Sequence, residues 1–505
     1  MKKIKHLLFL IFLPLIIYAQ ESLDPRLNEI DTLITGIMKG WNVPGCAITI
    51  VEKNNIILTK GYGYRKLDTK QPVNDNTLFP IASCTKAFTA ALIGIQADEG
   101  KIDLDKPANY FLPILRFSDP LLTLQVTPRD MMTHRTGIPR HDLSWFGFEK
   151  SHRDSLVQII QYFDKSAGYK EKFQYNNYMY IALGAMVEHV NNGKAWEEQI
   201  KKRFFIPLEM KNSGVSYTEL MNVENKAYPH AVSFQMNPIE VPFENSDNTG
   251  PCGSISSNAK DIAHWLITWI NKGKYKNSIV IPSDFYKQAI ATQWGSVSGP
   301  SEDIRYLGYG LGWNLAIYRG HYSVFHGGAS NGFASLVLFL PSDSLGMAIF
   351  INSRTSPVPM IIANHITDKL LDLPYIDWGK RQLNSFIDQQ KIYETEFYSK
   401  GPSEFSPTHN LDDYCGKYSN PGYGVIKIFC EGDSLVGKYG SLKVWLKHYN
   451  YDAFNAIFYR SENILGKIDV YNRPAVFHQN SKGEISELTI LLERKVDPII
   501  FKKII

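Results

Sequence analysis

Apolar positions along the first three quarters of the chain fall into two patterns: short β-branched runs near both ends and helical spacing between them. Residues 46–51 and 56–61 read as two strands joined by Glu52-Lys53-Asn54-Asn55, the pattern of a hairpin. Later strands are expected at 322–326, 335–340 and 347–352, with Pro341-Ser342-Asp343-Ser344 as a turn. Between these groups lie helical stretches. Residues 87–97 are apolar nearly all round, 178–190 are similar, and a third stretch carries Ile262, Trp265, Leu266, Trp269 and Ile270 on one face. Strands at both ends with helices between them predict an α/β (α+β) domain over 24–375: one antiparallel sheet that closes late, flanked by helices.

Residues 376–408 are polar and rich in turn formers, which predicts a helical connector and a linker. From Leu411 the pattern changes to short β runs at 425–430, 434–438, 443–448 and 454–459, so 409–505 is expected to form a small all-β, barrel-like domain. At the other end, Lys2, Lys3 and Lys5 precede thirteen mostly apolar residues that break at Ala19-Gln20. This is the pattern of a signal peptide over 1–19, and it predicts export to the periplasm or medium. Thirteen residues at 1.5 Å rise cover about 20 Å of a ~30 Å hydrocarbon layer, so no stable membrane span is expected after cleavage.

Composition narrows the function. Lys and Arg total 54 against 50 Asp and Glu, and three of the lysines sit in the leader, so no nucleic-acid partner is expected. Five cysteines are too few and too scattered for a disulfide framework or a CxxC metal site. Cys415 and Cys430 either pair, which export would permit, or remain two free thiols. The thirteen histidines include no HExxH, so no metal and no cofactor are expected.

Ser83-Cys84-Thr85-Lys86 opens the apolar helix. Residues three apart share a helix face, which brings Lys86 within reach of the Ser83 hydroxyl. A lysine desolvated at a buried helix start has a lowered pKa and can take the serine proton, and the helix N-terminus favours developing negative charge. Alternatively, Ser83 is an ordinary cap before a surface lysine. The same spacing recurs at Ser257-Asn258-Ala259-Lys260 before the amphipathic helix, where Ser257 is expected to cap and Lys260 to stay solvated. Tyr175-Asn176-Asn177 precedes another helix; the tyrosine can shuttle a proton and an amide can orient a substrate. The same Y-x-N spacing at 275–277 and 418–420 reads as surface turns. His326-Gly327-Gly328 ends a strand, where glycine permits close approach and the histidine can donate a hydrogen bond. Gly328-Ala329-Ser330-Asn331-Gly332 matches a nucleophile elbow, but a strand rather than a helix should follow, which discounts Ser330.

The order S-x-x-K, Y-x-N, H-x-G resembles the serine β-lactamase and penicillin-binding-protein superfamily, specifically the class-C-like branch of D-aminopeptidases, esterases and S12-type peptidases. Stretches 74–86, 126–139, 250–266 and 309–313 are also similar to that family. The resemblance implies a serine hydrolase acting through an acyl-enzyme on a small-molecule or peptide ester or amide. Ser83 would be the nucleophile, with Lys86 or Tyr175 as its base, His326 in the third motif and Asn177 on the substrate. It also implies an oxyanion hole from the N–H groups of Ser83 and Ala329, with Gly328 beside it, and a cleft-edge loop at Arg140-His141-Asp142 whose His141 can touch substrate. Acyl transfer to an alcohol or amine, and a penicillin or peptidoglycan sensor that stays acylated, use the same residues. Where penicillin-recognising relatives carry K-T-G this chain has H-G-G, which removes a fixed cation and puts β-lactam turnover in doubt. The C-terminal domain resembles the lipocalin-like appendage of some of these hydrolases.

Overall fold

A computed structural model describes residues 24–233, 236–295, 303–355, 357–398, 405–460 and 471–504. The leader at 1–19 lies outside the described residues. Nine antiparallel strands form one sheet. From one edge they run Trp294–Gly295, Ile304–Tyr309, Asn314–Tyr318, His321–Ser330, Phe333–Leu340, Leu345–Ile351, Gly45–Glu52, Asn55–Lys66 and Gln71–Pro72. The sheet closes late, as its sequence predicts: the first strand pairs Cys46 with Ile351 and Val51 with Gly346. The central strands Phe333–Leu340 and Leu345–Ile351 are buried throughout. That explains their unbroken apolar sequence, since both sheet faces are covered.

The His321–Ser330 strand is longer than its sequence predicts. It does not stop at His326, because Gly327 and Gly328 stay in the ladder opposite Leu336 and Ser335. The turn to the next strand comes only at Asn331-Gly332, where Gly332 has φ +74°. A strand therefore follows Ser330, which is not the strand–turn–helix geometry of a nucleophile elbow.

The helix Thr85–Asp98 is the buried axle of the domain, with every side chain from Thr85 to Gln96 removed from solvent. It ends at Gly100, whose φ of +71° suits a glycine. Asn177–Val190 packs beside it and is buried from Asn177 to Val187. Ala259–Ile270 lies on the sheet and is capped by Asn258, whose side chain accepts from Asp261 N at 2.8 Å. Ser257 is therefore not the cap; it is buried one residue earlier and shares a hydrogen bond with Ser213 Oγ at 2.9 Å.

After the helix Trp378–Tyr398, eight strands from Gly416–Asn420 to Ile499–Ile504 form a closed antiparallel barrel. The first pairs with the last through Lys417 and Ile504. Alternating burial along Gly424–Glu431 and Leu442–Asn450 fills its interior. The second Y-x-N rival lies here: Tyr418 is no surface residue but is fully buried, donating to Tyr414 O at 2.7 Å. Tyr423, Tyr439 and Phe501 belong to the same apolar cluster as Phe146, Phe163 and Tyr178, so barrel and sheet domain share one core.

Candidate active site

A helical turn, Ala82–Cys84, feeds directly into Thr85–Asp98, and no side chain caps that start. Ala82 is held at φ +45°, a left-handed conformation costly for a residue with a Cβ. It leaves Ser83 half-buried at the mouth of the helix. Lys86 is fully buried, and its Nζ donates to Ser83 Oγ at 3.1 Å and to Cys252 O at 2.8 Å. The rings of Tyr175 and Tyr180 lie 4.9 and 5.4 Å from that nitrogen. The second S-x-x-K has none of this. Lys260 is half-exposed and pairs with Asp75 at 3.0 Å.

Tyr175 is placed by its neighbours. Asn176 caps Asn177–Val190, and its Nδ2 donates to Ile138 O and Pro139 O at 3.1 and 2.7 Å. Its backbone N–H donates to His134 Nδ1 at 3.1 Å, so the His134 proton sits on Nε2. His134 lies 4.4 Å from the Tyr175 ring. Burial first, and then the Lys86 charge, hold His134 well below the usual histidine range, so it stays neutral. A capping box between Thr127 and Asp130 starts the short helix that leads to His134, and Asp130 also binds Arg135 at 2.6 Å. Asn177 is 6% exposed and donates Nδ2 to both Asp142 oxygens at 3.1 Å.

The His321–Ser330 strand closes the other side. A Cβ on Gly328 would stand 2.2 Å from Ile81 O, 2.3 Å from Ser335 Oγ and 3.1 Å from Ser83 N, so only glycine lets the strand lie against the serine turn. Ala329 follows with its side chain exposed. Cys84, whose thiol burial pushes up to about 12, donates Sγ to His326 O at 3.1 Å and ties helix to strand.

His326 is placed differently from its expected donor role. Gly327 O can only accept, so Nδ1 carries the proton and donates to it at 2.7 Å. Nε2 then accepts from Tyr309 OH at 2.9 Å. Burial, aided by Lys86, lowers the His326 pKa to about 3, so the ring is neutral and has no N–H left for a substrate. It lies 6.3 Å from the Tyr175 ring and braces the cleft rather than offering it a proton. His141 is likewise not at the cleft surface. It is fully buried, stacked on Phe163 at 4.3 Å, donates Nε2–H to Asp164 O at 3.1 Å, and accepts on Nδ1 from Tyr423 OH of the barrel at 2.6 Å. Its two neighbours face the site instead. Arg140 stands 5.0 Å over the Tyr175 ring, and Asp142 takes the Arg140 Nε at 2.7 Å.

Ser83, Lys86, Tyr175, Asn177 and Gly328 thus converge. His134, Tyr309 and the Cys252 carbonyl complete the arrangement without having been singled out in the sequence. Each lies inside a stretch noted there as family-like, but none carries a spacing that marks a role. Such an arrangement sets a half-buried serine hydroxyl against a buried lysine, with a tyrosine ring beside the pair.

The β-lactamase family model matches residues 30–371, and the chain belongs to that family. A second family model, a domain of unknown function (DUF3471), matches residues 402–503. Among curated proteins, the chain is 27% identical over 437 residues to unguisins hydrolase ungD' of Aspergillus campestris, covering 81% of this chain and 79% of that one. It is 24% identical over 371 residues to protein flp of Staphylococcus aureus, covering 72% and 70%. The fold matches an octameric penicillin-binding protein homologue from Pyrococcus abyssi with TM-score 0.61 at 20% identity, over 94% of this chain and 100% of that one. It also matches a D-amino acid amidase from Ochrobactrum anthropi SV3 with TM-score 0.56 at 20% identity, over 68% and 98%.

Proposed function

We propose that this protein is an exported serine hydrolase that cleaves an ester or amide through an acyl-enzyme on Ser83. The observation that carries the reading is the 3.1 Å hydrogen bond from the buried Lys86 Nζ to Ser83 Oγ at the start of a buried helix. Ser83 Oγ attacks the carbonyl carbon, and its proton passes to Lys86 or Tyr175. The leaving alcohol or amine departs with a proton returned from that pair, and water then attacks the acyl carbon and regenerates Ser83. The N–H groups of Ser83 and Ala329 hold the oxyanion, an arrangement supported by the tight seat of Gly328 on the serine turn. The name of the amidase neighbour favours an amide bond as substrate. Acyl transfer to an amine or alcohol shares every one of these steps until the acceptor enters.

The test is turnover of a short-chain nitrophenyl ester and a D-amino acid amide by the wild type and by Tyr175→Phe, with and without an added amine acceptor. The reading expects turnover of at least one substrate and a loss of roughly 10²–10⁴ in the variant. Partitioning into the added amine identifies a transferase. Acylation that is never released identifies a sensor.

A further inference from the structure

Two basic side chains approach the Tyr175 ring, and only one is engaged with Ser83. The Lys86 Nζ is buried against Ser83 Oγ and Cys252 O. Arg140 is different: its side chain is 54% exposed, and its guanidinium carbon lies 5.0 Å over the ring. Its position is fixed from three directions. Pro139 O is held by Asn176, His141 is buried against Phe163 and Tyr423, and Nε is anchored on Asp142, itself gripped by Asn177. Among the described residues, neither terminal guanidinium nitrogen has a protein partner. Asp142 is the carboxylate paired with this group. The other acid nearby, Glu493 from the barrel, accepts from Leu143 N at 3.2 Å and is pushed up to about 8 by burial and by Asp142, which leaves it largely neutral at pH 7. Arg140 therefore pairs with a single carboxylate, through Nε alone, and the neutral His326 adds no charge beside it.

From this geometry we infer that Arg140 is a specificity-determining residue whose free guanidinium edge grips a carboxylate on the acyl donor. A guanidinium anchored through Nε presents its two terminal nitrogens as a fork, the geometry that matches a carboxylate in two parallel hydrogen bonds. The preferred substrates are then acyl donors that carry a carboxylate near the scissile bond. The cation comes from the 139–142 loop and not from the His321–Ser330 strand, where relatives with K-T-G place theirs. This deepens the proposed serine hydrolase reading and rests on Ser83 being the acylated group.

The experiment compares mono(para-nitrophenyl) glutarate with para-nitrophenyl valerate, which differ in the terminal carboxylate, on wild type, Arg140→Gln and Arg140→Lys. The wild type should prefer the glutarate. In Arg140→Gln the glutarate-to-valerate ratio of kcat/KM should fall by about 10- to 100-fold, mostly through KM, the range for losing a charge-assisted contact. Arg140→Lys should fall between, keeping charge but losing the fork. An unchanged ratio in Arg140→Gln, or a wild-type preference for a matched ammonium ester, overturns the inference. Equal loss on both esters also overturns it, because Arg140 would then only position Tyr175. Labelling that survives Ser83→Ala defeats the serine reading instead, and the Arg140 ratio reports on the carboxylate separately.

Discussion

Gly328→Ala should cripple the proposed hydrolase activity, whereas Gly327→Ala one residue earlier should not. An added Cβ at Gly328 meets Ile81 O at 2.2 Å and Ser335 Oγ at 2.3 Å. Ordinary contact needs more than 3 Å, so the strand must retreat from the serine turn by on the order of 1 Å. At Gly327 the nearest atom, Ser335 O, stands 3.8 Å away, and neither glycine has a positive φ. The two substitutions are thus alike in chemistry and differ only in whether they separate Ala329 N from Ser83. A displacement of about 1 Å in a catalytic contact costs roughly 10²-fold, and complete loss of an oxyanion donor roughly 10²–10³-fold. The assay is kcat/KM on a short-chain nitrophenyl ester, with thermal unfolding run on both variants. Gly328→Ala is expected to lose roughly 10²–10³-fold in rate, and Gly327→Ala less than about threefold. Activity of Gly328→Ala near wild type, or an equal loss in both variants, would refute the reasoning.

Further consequences follow from burial and charge. Tyr423→Phe removes the donor to the buried His141 Nδ1 and should lower stability by roughly 1–3 kcal/mol in denaturant melts, whereas no effect would show that the barrel docks without it. Burial lowers His326 to about 3 and His141 to about 4 from 6.5. The unfolded chain therefore binds more protons in that window, and stability should fall as pH drops from about 6.5 toward 4; a flat profile contradicts it. Glu493 has the opposite sign, raised from 4.5 to about 8, so its stabilising contribution is present below 4.5 and lost as pH rises through 8. Glu493→Gln should therefore be more stable than wild type at pH 9, and equal stability there counts against a buried carboxyl. Cys415 and Cys430 place their sulfurs 2.9 Å apart, with Asp412 close enough to complete a three-ligand group. Incubation with oxidised glutathione should remove two hydrogens per chain, as read by mass, whereas a metal retained through dialysis would favour coordination instead.

The helices Thr85–Asp98, Asn177–Val190 and Ala259–Ile270 and the central strands of the sheet were legible because their apolar periods are long, whereas the helices Ile30–Gly40 and Pro357–Leu370 were not. The strands Ile304–Tyr309 and Asn314–Tyr318 were not legible either, because Arg305 and Gly308 interrupt the first and the second is a run of only five residues. The barrel was legible as β but not as a partner of the cleft. Tyr423 and Glu493 touch the 141–143 segment from far along the chain, and no local pattern encodes that meeting. The nearness of Lys86 to Ser83 was legible from their spacing on a buried helix, whereas Tyr175 was singled out only by a motif order that resembles the family's. The neutrality of His326 depends on its burial and on Lys86, and its tautomer on Tyr309 and Gly327 O, surroundings that only the folded sheet creates.

The central claim is that Ser83 is the acylated nucleophile, and peptide-mapped mass spectrometry of the full chain after brief exposure to a panel of activated esters tests it most directly. The wild type, Ser257→Ala and Ser330→Ala should each carry one acyl adduct on the peptide containing Ser83, and Ser83→Ala should carry none. An adduct on any other residue of the wild type, or one that persists in Ser83→Ala, would contradict the account.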